Sequence, residues 1–146
     1  MPNVTAVAIS RQFEQYRLTA YWDALALRWT IGWGHTGDDV GADSVWTQTQ
    51  ADADQVARME RVEEKVRSLI TIALPSGAIG ALISLADNAG IGIEIGSRLI
   101  AAINRRDWIS AAHEFIDDDH VTGRGEVQGL LKRRLYEAFI FLSSIP

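Results

Sequence analysis

The chain has 146 residues and a mass of 16.1 kDa, the size of one ordinary domain that buries about two-thirds of the surface its unfolded form exposes. It contains no cysteine, which excludes disulfides, thiolate metal sites and cysteine nucleophiles together. With 14 basic against 19 acidic residues and a net charge of −5, it lacks the basic footprint of a nucleic-acid binder.

The start, MPNVTAVAIS, has neither the basic residues nor the continuous apolar run of a secretion signal. Residues 4 to about 14 place Ile9 and Phe13 one helical turn apart and predict a short amphipathic helix ending near Glu14. From Leu18 to Trp33 the pattern turns aromatic and β-branched, LTAYWD then ALAL then RWTIGW, which reads as an antiparallel hairpin whose turn has no Gly or Asn to ease it. GHTGDDVGADS follows as a polar loop.

Thr47 and Gln50 have the spacing of a capping box. Behind them a long helix is expected to about Ala73, with Val56, Met59, Val66 and Ile70 on one face. Asp54 with Arg58, and Glu63 with Arg67, are (i, i+4) pairs of favourable order on it. Pro75 stops that helix and Ser76 can cap the next, 77 to 89, apolar on nearly all sides and so central to the core. Its neighbourhood carries Pro75, Asp87, Asn88 and Glu94, which a bilayer-spanning helix would rarely hold, so no stable membrane insertion is expected.

Further helices are expected from about 94 to 104, from Asp107 to Phe115, and from about 126 to 142, with 117 to 125 as loop. In the last helix Leu130, Leu131, Leu135, Phe139 and Leu142 read as the apolar face, and Lys132, Arg133 and Arg134 as a solvated one. The fold expected is α+β and mainly helical: one domain over 1–146, with a small β lobe at about 15–46 and a larger helical lobe formed by 47–146 and the N-terminal helix.

Glu14 and Asp23 stand nine residues apart in the stretch EQYRLTAYWDALALRWTIGWGHT. Cleaving a glycosidic bond needs one carboxyl to protonate the leaving oxygen and a second to activate water, attack, or steady the positive sugar. Glu14, beside Phe13 and Tyr16 at a helix end, suits the acid, and Asp23, at a wetter hairpin turn, suits the base. From the spacing alone, however, two ordinary surface carboxylates are the better-supported reading. Gly32 and Gly34 form a GxG with no helix behind it, so a nucleotide site is not indicated; close backbone approach to a glycan is. His113 and His120 lack metal-ligand spacing, and no metal is expected.

Beyond spacing, FEQYRLTAYWD followed by WTIGWGHT resembles the phage-type lysozymes, the endolysins of glycoside hydrolase family 24. Glu14, Arg17, Tyr21, Asp23 and Thr30 to Thr36 match that signature, and ALISLADNAG, NRRDWISAAHEF and GLLKRRLYEAFIF resemble the family's later helices. The resemblance implies a lysozyme-like fold and hydrolysis of the β-1,4 bond between N-acetylmuramic acid and N-acetylglucosamine in bacterial peptidoglycan. It assigns Glu14 as general acid, Asp23 as the carboxylate beneath the sugar, and Thr30 as the hydroxyl holding water. Trp33, Gly34 and Asn88 are the expected substrate contacts, with Arg17 and His35 as structural support.

It further implies a monomer without cofactor, held in the host cytoplasm until a holin opens the way to the wall. Three departures stand out: Gln15 in place of a glycine, ALALRW between Asp23 and Thr30, and a pI near 5.1. A wall-binding or phage structural protein without turnover, and a transglycosylase forming an anhydro sugar, are the alternatives.

Overall fold

The computed structural model describes residues 1–24, 26–89, 97–116 and 127–146, with 97, 127 and 128 given by backbone. Among them are six helices and a three-stranded antiparallel sheet: α1 (Val4–Phe13), β1 (Arg17–Asp23), β2 (Arg28–Gly32), β3 (His35–Thr36), α2 (Gln48–Leu69), α3 (Ser76–Ala89), α4 (Ser97–Asn104), α5 (Trp108–Ile116) and α6 (Val127–Ser144). The fold is α+β and mainly helical, as the sequence suggests.

Local signals set most boundaries. Asn3 caps α1 by accepting from the Thr5 and Ala6 N–H groups at 3.0 and 3.1 Å, and its amide donates to the Ser76 carbonyl at 3.0 Å, tying α1 to the start of α3. Both halves of the Thr47/Gln50 capping box form, at 3.1 and 2.8 Å. Asp107 caps α5 through the Ser110 N–H at 3.1 Å and hydroxyl at 2.7 Å. The capping bonds hold the Asp107 carboxyl below its ordinary range.

α4 ends in a Schellman pair: Asp107 N–H bonds to the Ala102 carbonyl at 2.8 Å and Arg106 N–H to Ile103 at 2.9 Å. The left-handed position is taken by Arg106, φ 64°, rather than by glycine.

The core centres on α3, whose residues Ala78 to Ala86 are buried without a break, as an all-round apolar helix should be. Met59, Val62 and Val66 of α2, Leu99 and Ile103 of α4, and Phe115 and Phe141 close around it. Each such side chain contributes about 1.5–3 kcal/mol on burial. Gly80 lets α1 pack closely, since a Cβ there would stand 2.5 Å from that of Thr5.

Two helix faces differ from expectation. α2 ends at Leu69, not near Ala73, and buries Gln55 rather than Val56; the Gln55 amide donates to Ser10 Oγ at 3.1 Å and accepts from Arg11 at 2.9 Å. The larger correction is α6. Leu135, Phe139 and Leu142 are 47%, 65% and 38% exposed, whereas Arg133, Arg134 and Glu137 are buried. Hydropathy put the charges outside; they lie inside because they neutralise one another and carry bonds to α3 and to Glu14. Residues 90–96 and 117–126, expected to hold a helix start and a loop, lie outside the described residues.

The hairpin pairs Tyr21 with Thr30, Trp22 with Trp29 and Asp23 with Arg28, with a bulge between Arg17 and Tyr21. Its turn lacks glycine, as the sequence shows, and Leu27 takes the left-handed conformation instead, φ 54°. Asp23 Oδ1 accepts the Ala26 N–H at 3.1 Å and closes the turn.

Candidate active site

Glu14 is the first residue past α1: its N–H still bonds to Ser10 at 2.8 Å while its backbone turns extended. The side chain thus leaves the helix end toward the sheet. Arg133 of α6 meets it, Nη1 donating to Oε1 at 2.5 Å. Arg133 is itself pinned by Glu137 Oε1 at 3.0 Å and by the Ser84 carbonyl and hydroxyl at 3.3 and 3.2 Å. Burial would push the Arg133 guanidinium down, but the carboxylates of Glu14 and Glu137 outweigh it and hold it above its ordinary value.

The other carboxylate oxygen, Oε2, faces Gly34. Gly34 has φ +87°, and a Cβ there would stand 2.7 Å from Oε2. A glycine is needed for both reasons, and Glu14 and Gly34 together line a cavity.

Two cavities, of about 400 and 260 Å³, share Glu14, Tyr21, Asp23 and Asn88 in their walls and form the two halves of one cleft. The larger half adds Phe13, Gln15, Trp22, Ala24 and Leu130, and is partly apolar. The smaller adds Thr30, Gly34, His35, Arg58 and Asp87. Thr30 is 2% exposed and stands opposite Tyr21 across the strands. The Tyr21 phenol is pushed above its ordinary value by burial first and then by the negative charges of Asp23 and Glu14, with Arg17 opposing. Tyr21 therefore sits within reach of both carboxylates and keeps its proton as a donor.

The smaller half is braced by charge. Arg58 donates to Asp87 at 2.7 Å, to Asp54 at 3.1 Å and to the Trp33 carbonyl at 2.8 Å, joining α2, α3 and the turn after β2. His35 Nδ1 lies 2.9 Å from Asp54 and Nε2 3.1 Å from Asp39. The His35 bond, foremost, lowers the Asp39 carboxyl from its ordinary value.

The structure thus brings Glu14, Asp23, Thr30, Gly34 and Asn88 to one cleft. Trp33 is placed differently: it is not among the residues lining either cavity. Its ring stacks on Tyr16 at 4.4 Å, Arg11 covers it at 4.9 Å, and its indole N–H donates to Asp52 at 2.8 Å. Arg17 also stands apart, its guanidinium 5.5 Å above the Tyr21 ring, and Arg133 bonds the acid in its stead.

Sequence reasoning missed Arg133, Arg134, Glu137, Ser84 and Arg58. The signal for the first three was the spacing Arg-Arg-x-x-Glu, which lets one carboxylate meet two guanidiniums on a helix. Among the described residues no group of three or more His, Asp or Glu could hold a metal ion.

Comparison with known proteins places the fold and the sequence in a family. The sequence profile of the family described as Phage lysozyme matches residues 11–137. The endolysin of Acyrthosiphon pisum secondary endosymbiont phage 1 is 30% identical over 141 residues, covering 94% of this chain and 95% of its own. The endolysin of Salmonella phage P22 is 31% identical over 134 residues, covering 89% and 90%. Among solved structures, the endolysin from Escherichia coli O157:H7 phage FAHEc1 superposes with a TM-score of 0.84 at 26% identity, over 97% of this chain and 93% of that one. The chain also matches the endolysins of Bacillus phages B103 and PZA, of which it spans about half the length, 54% in each case. The chain belongs to the phage lysozyme family.

Proposed function

We propose that this chain is a muramidase that hydrolyses the β-1,4 bond between N-acetylmuramic acid and N-acetylglucosamine of peptidoglycan, with Glu14 as general acid. The carrying observation is the asymmetry of the Glu14 carboxyl: Oε1 accepts from Arg133, while Oε2 lies beside Gly34, with which Glu14 lines the smaller half of the cleft. A donor already occupies Oε1, so the transferable proton belongs on Oε2, the atom a sugar in the cleft can reach.

Asp23 supplies the second carboxylate in the same walls. Thr30, buried on β2 and lining the smaller half of the cleft, has a hydroxyl held, among the described residues, only by a long 3.5 Å bond to the Arg28 carbonyl, so it can both donate to and accept from a water there. As the proton leaves Oε2 for the bridging oxygen, the negative charge of Asp23 steadies the positive sugar, and water held by Asp23 and Thr30 adds to it. The adding water gives its spare proton to the Asp23 carboxylate, the two sugar products carry the new hydroxyls, and Glu14, ionised beside Arg133, regains a proton through solvent before the next turnover. With this reading goes the family expectation that a holin opens the route to the wall; among the described residues no helix is long and apolar enough to cross a membrane.

Mass spectrometry of the products from purified peptidoglycan tests the reading. Reducing-end N-acetylmuramic acid is expected. Anhydro sugars would assign the chain to transglycosylases, and wall binding without any new saccharide end would make it a binder.

A further inference from the structure

Asn88 stands at the C-terminal end of α3, exposed, and lines both halves of the cleft. Which end of its amide faces substrate is decided by what lies behind it. Arg134, 1% exposed, donates from Nη2 to Asn88 Oδ1 at 2.5 Å and from Nη1 to Glu137 Oε2 at 2.7 Å. A guanidinium donates and never accepts, so only the amide oxygen can face it. The NH2 group is thereby left for the cleft.

The arrangement is stiff. Glu137 is fully buried and also accepts from Arg133 at 3.0 Å and from the Ser84 hydroxyl at 2.6 Å. Arg134 cannot swing away from Asn88 without disturbing a buried carboxylate. Its planar fork is what lets one group serve Glu137 and Asn88 at once, which a lysine ammonium does poorly.

We propose that Arg134 is a positioning residue that fixes Asn88 as a hydrogen-bond donor to the cleft, so that this wall selects a sugar bearing an acetamido carbonyl. A sugar whose acetamido group has been replaced by an ammonium offers only donors there and is disfavoured. The inference rests on the reading that the cleft takes peptidoglycan.

The test compares purified peptidoglycan with the same material after de-N-acetylation, and reads the ratio of initial turbidity loss on the two. Asn88→Asp keeps an oxygen toward Arg134 and puts a second oxygen where the NH2 stood. Its acetylated-to-deacetylated ratio is expected to fall by about ten-fold or more relative to wild type, the loss of one well-placed hydrogen bond. Arg134→Lys keeps a cation for Glu137 but frees the amide to turn, and its ratio should fall part of the way while circular dichroism stays native. Thr49→Asp, exposed and outside both cavities, controls for an added charge and should leave the ratio at the wild-type value.

A merely structural role would slow both reactions together and leave the ratio unmoved. An unmoved ratio in Asn88→Asp, or a wild-type ratio in a folded Arg134→Lys, overturns the inference. Should the wild type clear neither wall, the muramidase reading falls, and the same ratio is then read from the fraction of protein that sediments with each wall.

Discussion

Replacing Gly34 by alanine separates what the backbone requires from what the chemistry requires. At φ +87° any Cβ meets the left-handed penalty, about 1–2 kcal/mol. In a chain of this size that corresponds to a fall in Tm of roughly 3–8 °C. The new methyl would also stand 2.7 Å from Glu14 Oε2, well inside contact distance, so the carboxyl must shift or rotate about its bond to Arg133. A displacement of about 1 Å of a catalytic group costs on the order of a hundred-fold in rate.

Gly32→Ala is the matched control. It has a similar φ, +62°, and meets the Trp46 ring at 2.9 Å rather than the acid. Both variants should lose comparable stability in thermal unfolding, while turbidity assays at a temperature where both are folded should show Gly34→Ala slower by about a hundred-fold and Gly32→Ala within several-fold of wild type. If the two alanines slow the reaction equally, Oε2 is not the acid's working oxygen and the assignment fails.

The buried cluster predicts more. Arg133→Met leaves Glu14 and fully buried Glu137 short of a cation, and urea unfolding should report a loss of about 3–5 kcal/mol; a loss under 1 kcal/mol would mean the pairs are not buried as described. Leu27→Gly and Arg106→Gly relieve left-handed residues at φ 54° and 64°, and each should raise stability by about 0.5–1 kcal/mol. Lower Tm values in both would contradict those conformations. The Tyr21 phenol is raised above its ordinary 10.0, so its contribution is complete below that value and is lost as pH rises through the higher folded value. As pH rises above 10.0 the wild type should therefore lose more stability than Tyr21→Phe. Parallel pH curves for the two proteins would remove Tyr21 from the electrostatics of the cleft.

What was legible in the sequence was local. The Thr47/Gln50 box and the pairs Asp54–Arg58 and Glu63–Arg67 all join residues within one turn, and their spacing carries their geometry. The glycine-free turn was legible as a difficulty, though not that Leu27 would absorb it. Arg133 was not legible as the partner of Glu14 because 119 residues separate them. Reading α6 by hydropathy then turned the helix the wrong way, since averaging assumes that charges face water. The cluster of Arg133, Arg134 and Glu137 breaks that assumption where the cleft needs fixed charge, and Leu135 and Phe139 are exposed as a consequence. The packing of Trp33 was not legible for a related reason: aromatic richness beside a site does not say which neighbours a ring meets, here Tyr16 and Arg11.

In the proposed reaction the glycosidic oxygen takes its proton from Glu14 Oε2. Glu14→Gln tests it most directly, because the amide can keep an oxygen toward Arg133 and fill the same space while offering no transferable proton. With fold verified by circular dichroism and wall binding verified by sedimentation, clearance of purified peptidoglycan should fall by about a hundred-fold or more. A folded, wall-binding Glu14→Gln that clears at a rate near wild type would mean that Glu14 is not the acid.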